Sequence, residues 1–316
     1  MNPALSLQPS ALSAVHVTLD DLIAMRLRAH RLERFARRVG GSHAAVHASR
    51  FRGRGVDYAE SRAYQPGDDI RQMDWRVTAR TGRPHTKLFQ EERERSVLLV
   101  ISCNPGMRFG TRVRFKSVQA ARTAALIAWA IALSGDRVGA IGYGPGLNAE
   151  VKPGGGVRGA LRCLRALVEW DGITRGATAT VPLSQALQRA QRLARPGTQI
   201  ILLTDGFDCD AAAEPALSLL ANHCDVAAVL LSDAIEHQAP PPARYALQSE
   251  SGRVMLDFSA QRTRARWPAL FDERREQLVG MLKRRALNSA VLDTHAEPEP
   301  VLRTLLGFDA RRRKAG

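Results

Sequence analysis

The sequence of 316 residues lacks the patterns that mark several classes of protein. It has four cysteines and no CxxC pair, so neither a zinc ribbon nor a disulfide framework is expected. Its longest apolar run spans residues 124–133, far short of the ~20 residues that a membrane-spanning helix needs. The first residues have no basic start followed by an apolar core, so we expect no signal peptide. Together these absences predict a cytoplasmic location.

Catalytic signatures are missing as well. The sequence contains no G-x-x-x-x-G-K-S/T phosphate loop, no H-E-x-x-H metal pair and no G-x-S-x-G nucleophile turn. Each of these motifs holds a phosphate, a zinc ion or a reactive serine in a fixed geometry. Their absence argues against the commonest NTPase, metalloprotease and hydrolase classes, and we predict that the protein is not an enzyme.

The charge balance is strongly basic. The net charge is +15 and the isoelectric point is about 10.8, which favours binding to polyanions or acidic partners. Arginines recur through a predicted helix within residues 19–39, and an RRRK run occupies residues 311–314. The helix has two interpretations, a solvated basic face or a docking surface for an acidic partner or lipid. The second would make the protein a polyanion or membrane-surface binder, with peripheral membrane association and no specific nucleic acid.

From residue 96 onward, apolar strands alternate with helices. Residues 97–101 form a continuous apolar run, typical of a strand buried on both faces, and residues 116–134 form a helix that is apolar nearly all round. Further strands are predicted at residues 138–143, 149–152, 200–204, 226–231 and 291–293, and further helices at residues 158–170, 184–194, 215–222, 269–285 and 300–306. This alternation predicts an α/β fold with a doubly wound, mostly parallel sheet flanked by helices.

The predicted organisation has four parts. Residues 1–40 form a tail and a basic amphipathic helix, and residues 41–95 form a charged, irregular, β-rich segment packed on the main domain. Residues 96–308 form the α/β domain, with a hairpin insertion at about residues 244–258, and residues 309–316 form a basic tail. The glycines, prolines and charges of the second part favour extended pieces joined by turns over helices.

Two loops of the predicted sheet carry the polar residues of a candidate site. Open α/β sheets bind ligands at the carboxyl ends of their strands, where the strand order reverses. Two strands end in the loops at residues 102–106 and 204–208, so we expect these loops to meet at one edge of the sheet. Cys103 and Cys209 lie in or beside them, either as a redox pair or soft-metal site, or as two small, half-buried thiols.

Several motifs resemble one bacterial family. They are FRGRGVDY at residues 51–58, SRAYQPGDDIRQMDWRVTAR at 61–80, MRFGT at 107–111, KSVQAAR at 116–122 and GDRVG at 135–139. With these motifs the chain resembles the family called domain of unknown function 58, and its α/β part resembles a von Willebrand factor type A domain. The resemblance covers most of the chain and leaves out the N-terminal tail and the basic C terminus. It implies a von Willebrand factor A-like, or Rossmann-like, fold.

The resemblance also implies where a metal ion would bind. In the von Willebrand pattern, a D-x-S-x-S loop, a threonine and a second aspartate hold Mg²⁺. The matching positions here are Ser102, Asn104 and Gly106 for the loop, Thr178 or Thr180 for the threonine, and Asp205 for the second aspartate. One carboxylate and one hydroxyl are therefore lost. The resemblance thus implies a degenerate metal-ion-dependent adhesion site, in which Asp205 is a weak ligand and no bound Mg²⁺ is expected.

Arginines and carboxylates alternate through residues 50–95. Because arginine forks pair bidentately with carboxylates, we favour structural ion pairs that pin irregular backbone in place. We name as the charged belt the residues Arg62, Asp68, Asp69, Arg71, Asp74, Trp75 and Arg76. Trp75 is expected to anchor this segment on the α/β domain. The alternative function is a divalent-metal-dependent hydrolase that uses Asp68, Asp69, Asp74 or Asp205.

The resemblance supplies the expected partners. Members of the resembled family are commonly encoded beside MoxR-type AAA+ ATPases and other von Willebrand factor A proteins. This implies an adaptor that works with a MoxR-type ATPase in a chaperone-like assembly or maturation system. The loops at residues 102–107, 176–180 and 205–209 would then form the partner face.

Overall fold

The structure is a computed structural model that describes residues 13–39, 56–65, 67–91, 95–249 and 252–306. The chain divides into two compact units, one formed by residues 1–39 and 95–316 and the other by residues 40–94. The predicted basic tail and most of the FRGRGVDY motif lie outside the described residues.

The secondary structure follows the predicted alternation. In chain order, the helices and strands are α1 (Leu19–Val39), β1 (Val56–Ala63), α2 (Trp75–Thr81), β2 (His85–Glu91), β3 (Ser96–Ser102), α3 (Lys116–Leu133), β4 (Arg137–Gly144), β5 (Leu147–Gly155), α4 (Gly156–Ile173), α5 (Leu183–Leu193), β6 (Gln199–Thr204), α6 (Ala213–Ala221), β7 (Asp225–Ser232), α7 (Ala234–His237), β8 (Arg244–Ser249), β9 (Gly252–Asp257), α8 (Gln261–Arg284), β10 (Asn288–Asp293) and α9 (Pro298–Leu305).

The larger unit is built on a six-stranded sheet in the order β10-β7-β6-β3-β4-β5. Neighbouring strands are parallel except β4 and β5, which are antiparallel. The prediction of a mostly parallel sheet flanked by helices is confirmed. The predicted short strand at residues 149–152 is the centre of the longer edge strand β5. The predicted hairpin insertion is formed by β8 and β9.

Alternate residues of the central strands face opposite layers of helices. Leu99 and Ile101 of β3 belong to a core shared with α1, α3, α4 and α9. Leu98 and Val100 belong to a second core, shared with α5, α6 and α8. Because both faces of the strand are covered, its sequence has to be apolar throughout, which explains the continuous run at residues 97–101.

The N-terminal helix is part of the larger unit. Leu22 and Met25 of α1 are buried, and the indole N–H of Trp129 in α3 donates to the backbone oxygen of Leu22 at 3.0 Å. Arg28 pairs with Glu297 and Glu299, and the guanidinium of Arg26 lies over the Trp129 ring. Arg28 is therefore paired within the protein, and its acidic partners come from the far end of the chain.

Helix α8 begins eight residues before its predicted start. The prediction placed the start after Pro268, which lacks a backbone N–H and commonly marks a helix boundary, yet Pro268 lies inside the helix. Its neighbours Trp267 and Phe271 pack edge-on with centroids 5.0 Å apart, and the Trp267 indole donates to the backbone oxygen of Ile235 at 2.7 Å. These tertiary contacts offset the cost of an interior proline.

The smaller unit contains the antiparallel strands β1 and β2, paired from Val56↔Glu91 to Ala63↔His85. Between them lies helix α2, in a segment for which only extended pieces were predicted. The side chain of Asp74 accepts from the backbone N–H groups of the first turn, and Gly82 ends the helix with a φ of 67°. The expectation of no helix is wrong here because this short helix is defined by its end caps rather than by an apolar period.

In the described part of the chain, no helix is both long enough and apolar enough to cross a membrane.

Candidate functional site

The candidate site lies where the strand order reverses. The chain runs from β3 outward to β4 and β5 on one side, then returns to β6 beside β3 and runs outward to β7 and β10. Strands β3 and β6 are parallel neighbours, with Ile101 opposite Leu203, so the loops that follow them start side by side. This is the crevice at which open α/β sheets bind ligands.

The first loop is tied to the second through Asp208, a residue that the sequence analysis did not single out. Its Oδ2 accepts from the Ser102 hydroxyl at 2.9 Å and from the Asn104 side-chain amide at 2.8 Å, and its Oδ1 accepts from the Thr204 hydroxyl at 3.1 Å. Burial and the nearby charge of Asp205 raise the pKa of Asp208 to about 6, although the hydrogen bonds favour its charged form. The second acid of TDGFD was the signal that could have identified it.

Asn104 also joins a third loop to the site. Its side-chain amide donates to the backbone oxygen of Val181, and its carbonyl accepts from the backbone N–H of Val181, both at 2.9 Å. Thr178 and Thr180 belong to this third loop, and both are exposed. The structure thus brings the three predicted loops together, with the two threonines at the surface and Asn104 in the interior.

Asp205 is bound by a buried lysine. The ammonium of Lys116, the first residue of α3, donates to Asp205 Oδ2 at 2.8 Å and to Glu236 Oε1 at 2.9 Å. Lys116 is 1% exposed, and its Nζ lies 4.8 Å from the centroid of the Phe207 ring. Burial lowers its pKa, but the two carboxylates raise it by more, so the pKa of Lys116 stands above its ordinary value. The ammonium is therefore charged in the interior.

Glu236 extends the chain of charges to α8. Its Oε2 accepts from Arg275 Nη2 at 2.7 Å and from the Ser232 hydroxyl at 3.1 Å. Asp205, Lys116, Glu236 and Arg275, which we call the Lys116 network, thus alternate in sign and sum to zero charge. A buried charge is tolerated only when it is paired in this way.

Gly106 allows the first loop to approach the network. A Cβ atom at this position would lie 2.9 Å from Asp205 Oδ2, closer than real Cβ contacts, so a larger residue would displace the carboxylate or the loop. The glycine at residue 106, the last ligand position of the loop pattern, therefore has a steric reason that is independent of any metal ion.

The residues present do not fit a resident divalent cation. Mg²⁺ requires about six hard oxygens at roughly 2.0–2.1 Å. Asp205 Oδ2 already accepts from the ammonium at 2.8 Å, and its Oδ1 accepts from the backbone N–H of Phe207 at 3.2 Å. A cation bound at Oδ2 would stand beside the positive charge of Lys116, which repels it.

Residues 60–277 match the model of a known protein family, which is described as "Protein of unknown function DUF58". The chain belongs to this family. It is 30% identical over 222 residues to uncharacterized proteins of Mycobacterium bovis and Mycobacterium tuberculosis, which covers 70% of this chain and 67% of theirs. It is also similar to the crystal structure of conserved hypothetical protein BatB from Bacteroides thetaiotaomicron, with a TM-score of 0.45 and 14% identity over 69% of this chain and 99% of that one.

The motif MRFGT, at residues 107–111, holds the loop between β3 and α3 in place. Met107 is fully buried, and Arg108 Nη1 donates to Asp171 Oδ1 at 2.8 Å. The backbone N–H and the hydroxyl of Thr111 both donate to the Asp233 carboxylate, which also accepts from Thr294 at 2.7 Å. These hydrogen bonds hold the loop between β3 and α3 and thereby fix the start of α3 with Lys116.

The two cysteines near the loops are poor candidates for chemistry. Cys103 and Cys209 are free and half-buried. The Cys209 sulfur lies 3.6 Å from the sulfur of Met281. Burial raises the pKa of each thiol to about 12, which disfavours the thiolate that redox and soft-metal chemistry require. The interpretation as small packing residues therefore describes them best.

The charged belt is held by local hydrogen bonds. Arg62 pairs with Asp68 at 2.7 Å, whereas Asp69 accepts from the backbone N–H of Arg71 at 3.0 Å. Asp74 accepts from the Ser61 hydroxyl at 2.6 Å and from the backbone N–H groups of Arg76 and Val77. The described contacts of Arg71 and Arg76 with these aspartates come from their backbone N–H groups and not from their guanidinium groups.

Hydrogen bonds set the acidity of two belt carboxylates. The backbone N–H of Gln65 and the Arg62 guanidinium lower the pKa of Asp68, and the Ser61 hydroxyl and the α2 N-terminus lower that of Asp74. Trp75 is the first residue of α2 and is 66% exposed; its role as an anchor stays a prediction. General acid–base work near neutral pH calls for carboxyl pKa values raised above the ordinary range, which these are not.

Proposed function

We propose that this protein is a non-enzymatic interaction protein of the von Willebrand factor A type, in which an internal ammonium group takes the place of the metal ion. The observation that carries the proposal is the Lys116 ammonium, 2.8 Å from Asp205 and 2.9 Å from Glu236. The parallel sheet and the three loops at its switch point supply the arrangement expected for such a domain.

The chemistry of the site favours binding over catalysis. Asp205 and Asp208, at the end of β6, already accept hydrogen bonds from buried donors, and Lys116 is itself shared between two carboxylates. A hydrolase needs a group that is free to bind a cation or to exchange a proton with substrate. The metal-dependent hydrolase is therefore the less supported function.

The other alternative function, a polyanion binder through the basic helix, has less support from the two arginines whose contacts the structure describes. Arg28 is paired with two glutamates, and Arg26 stacks on Trp129. Both guanidinium groups have partners within the larger unit, and the charge of Arg28 is neutralised there.

The proposed partner is a MoxR-type AAA+ ATPase, in a system that assembles or matures other protein complexes. In a metal-bearing site of this type, an acidic side chain of the partner would complete the metal shell. With an ammonium in place of the metal, recognition would depend on the shape and hydrogen bonds of the surrounding loops, including the exposed residues Thr178 and Thr180. Other von Willebrand factor A proteins are further candidate partners.

Capture of the ATPase from the cells that express this protein tests the proposal. The variant Thr178→Arg places a bulky charge on the proposed face without touching the core, and it should abolish capture. Asn104→Ala and Asp205→Asn should weaken it. Arg158→Gln, an exposed change at the start of α4 near the opposite edge of the sheet, is the matched control and should leave capture intact. Capture of no ATPase by the folded wild-type protein, or equal capture by all variants, would refute the proposed function.

A further inference from the structure

A cleft of about 440 Å³ opens beside the candidate site. One wall is Thr111 and Arg112 from the loop before α3, a second is α7 with the following proline segment, and the third includes Arg264 of α8. The volume lies within the range of about 300–1,000 Å³ found for ligand pockets. Thr111 donates to Asp233, the N-cap of α7, so the cleft shares a wall with the supports of the Lys116 network.

The charge of the cleft is positive. Among the described residues that line it, two are arginines and none carries a carboxylate. The acidic residues nearest in the chain are engaged elsewhere: Asp233 with Thr111 and Thr294, and Glu236 with Lys116 and Arg275. Asp257, on the strand before Arg264, pairs with Arg244 at 3.1 Å. Because these acids have other partners, they leave the positive charge of the described lining residues available to a ligand.

The walls of the cleft are held in place before any ligand arrives. Arg264 Nη1 donates to the backbone oxygens of Phe258, at 2.5 Å, and Ser259, at 2.8 Å, which fixes its guanidinium. The Tyr245 hydroxyl donates to the backbone oxygen of Pro241 at 3.2 Å. Pro240 to Pro242 have fixed φ angles and no N–H groups, so they form a stiff wall. A preorganised wall lowers the entropic cost of binding.

The geometry points to an acidic peptide segment of a protein partner as the ligand of this cleft. Guanidinium forks match carboxylates in a bidentate manner. The backbone N–H groups of Thr111 and Ile235, which could have cradled a phosphate, both donate to Asp233 and are not free. This inference deepens the proposed function and rests on it for the view that the partner is a protein.

Fluorescence anisotropy with a labelled oligoglutamate peptide tests this inference on the full chain. Arg112 is exposed, so Arg112→Gln should fold normally and weaken binding about tenfold, the loss expected for one charge-assisted contact. Arg112→Lys, which keeps the charge and loses the fork, should give an intermediate affinity. Arg158→Gln carries the same charge change at the opposite edge of the sheet and should stay within about twofold of wild type, as expected of a residue outside the contact.

Three results would overturn the inference. Equal weakening by Arg112→Gln and Arg158→Gln would mean that the peptide responds to net charge alone. Displacement by inorganic phosphate at the peptide's own concentration, or preferential loss of single-stranded oligonucleotide binding in Arg112→Gln, would assign the cleft to phosphate or nucleic acid. If ATPase capture fails while Arg112→Gln still binds the peptide more weakly than Arg158→Gln does, the proposed function fails and the inference about the cleft holds. If capture succeeds while the two variants bind the peptide equally well, only the inference about the cleft fails.

Discussion

The carboxylates at the switch point and those of the charged belt both accept hydrogen bonds, but their surroundings differ. Asp205 and Glu236 are buried and share a buried ammonium. Asp68 pairs with a guanidinium that is one-third exposed, and Asp69 only caps a short turn. Removing one partner of a buried pair leaves an uncompensated charge, whereas water replaces the partner of an exposed one. The same residue types should therefore differ greatly in their effects on stability.

The largest effect is expected at Lys116. The change Lys116→Met leaves Asp205 and Glu236 without their shared cation, and it should lower the free energy of unfolding by about 3–5 kcal/mol in urea titrations. Lys152→Met, at an exposed position of β5, is the matched control and should change it by less than about 0.5 kcal/mol. Equal losses in the two variants would show that the network does not stabilise the fold.

The next effect is expected at Asn104. The change Asn104→Ala removes two hydrogen bonds to the Val181 backbone and one to Asp208, and should cost about 1–3 kcal/mol by the same titration. Asn148→Ala, at an exposed position of β5, provides the comparison. If both alanine variants were as stable as wild type, the third loop would not depend on Asn104.

Asp208 should give a pH dependence of the opposite sign to most aspartates. Its pKa is raised in the folded state to about 6, so its contribution to stability is fully present below its unfolded value, near 3.8, and is lost as the pH rises through about 6. Asp208→Asn should remove this decline between roughly pH 4 and 6, whereas Asp225→Asn, an exposed change in β7, should keep it. Unfolding free energies that run parallel for wild type and Asp208→Asn would contradict the assignment.

The smallest effect is expected in the charged belt. Arg62→Gln breaks a partly exposed ion pair with Asp68, which solvent screens, and the midpoint of thermal unfolding should not change beyond the error of the measurement. A fall in the midpoint as large as that of Asn104→Ala, measured in the same way, would show that this partly exposed pair contributes as much to stability as the buried hydrogen bonds of Asn104.

The parts of this fold that the sequence predicts are those set by local pattern. Strands β3 and β6 have continuous apolar runs, and helix α3 is apolar nearly all round. Such patterns predict burial on all sides, and these elements are buried in the larger unit. The two polar loops could be placed beside each other because parallel strands end at a common edge. Helices α2 and α8 were predicted poorly because end caps and tertiary contacts, rather than an apolar period, determine their bounds.

The Lys116 network could not be predicted in this way. Its four members come from α3, the loop after β6, α7 and α8, and no periodicity links a lysine at the start of an apolar helix to a glutamate on a short helix far along the chain. Ser102, Asn104 and Gly106 were identified because the motif places them there. Their hydrogen-bond hub, Asp208, and the steric reason for Gly106 emerge only when the loops are folded together.

The central claim is that the Lys116 ammonium takes the place of a bound metal ion. Its most direct test is the response of the protein to divalent ions. The midpoint of thermal unfolding of the wild-type chain should be the same after EDTA treatment as after addition of excess Mg²⁺ or Ca²⁺, because the carboxylates are already neutralised from within. A rise in the midpoint with Mg²⁺ or Ca²⁺ that is reversed by EDTA and absent in Asp205→Asn would contradict the account.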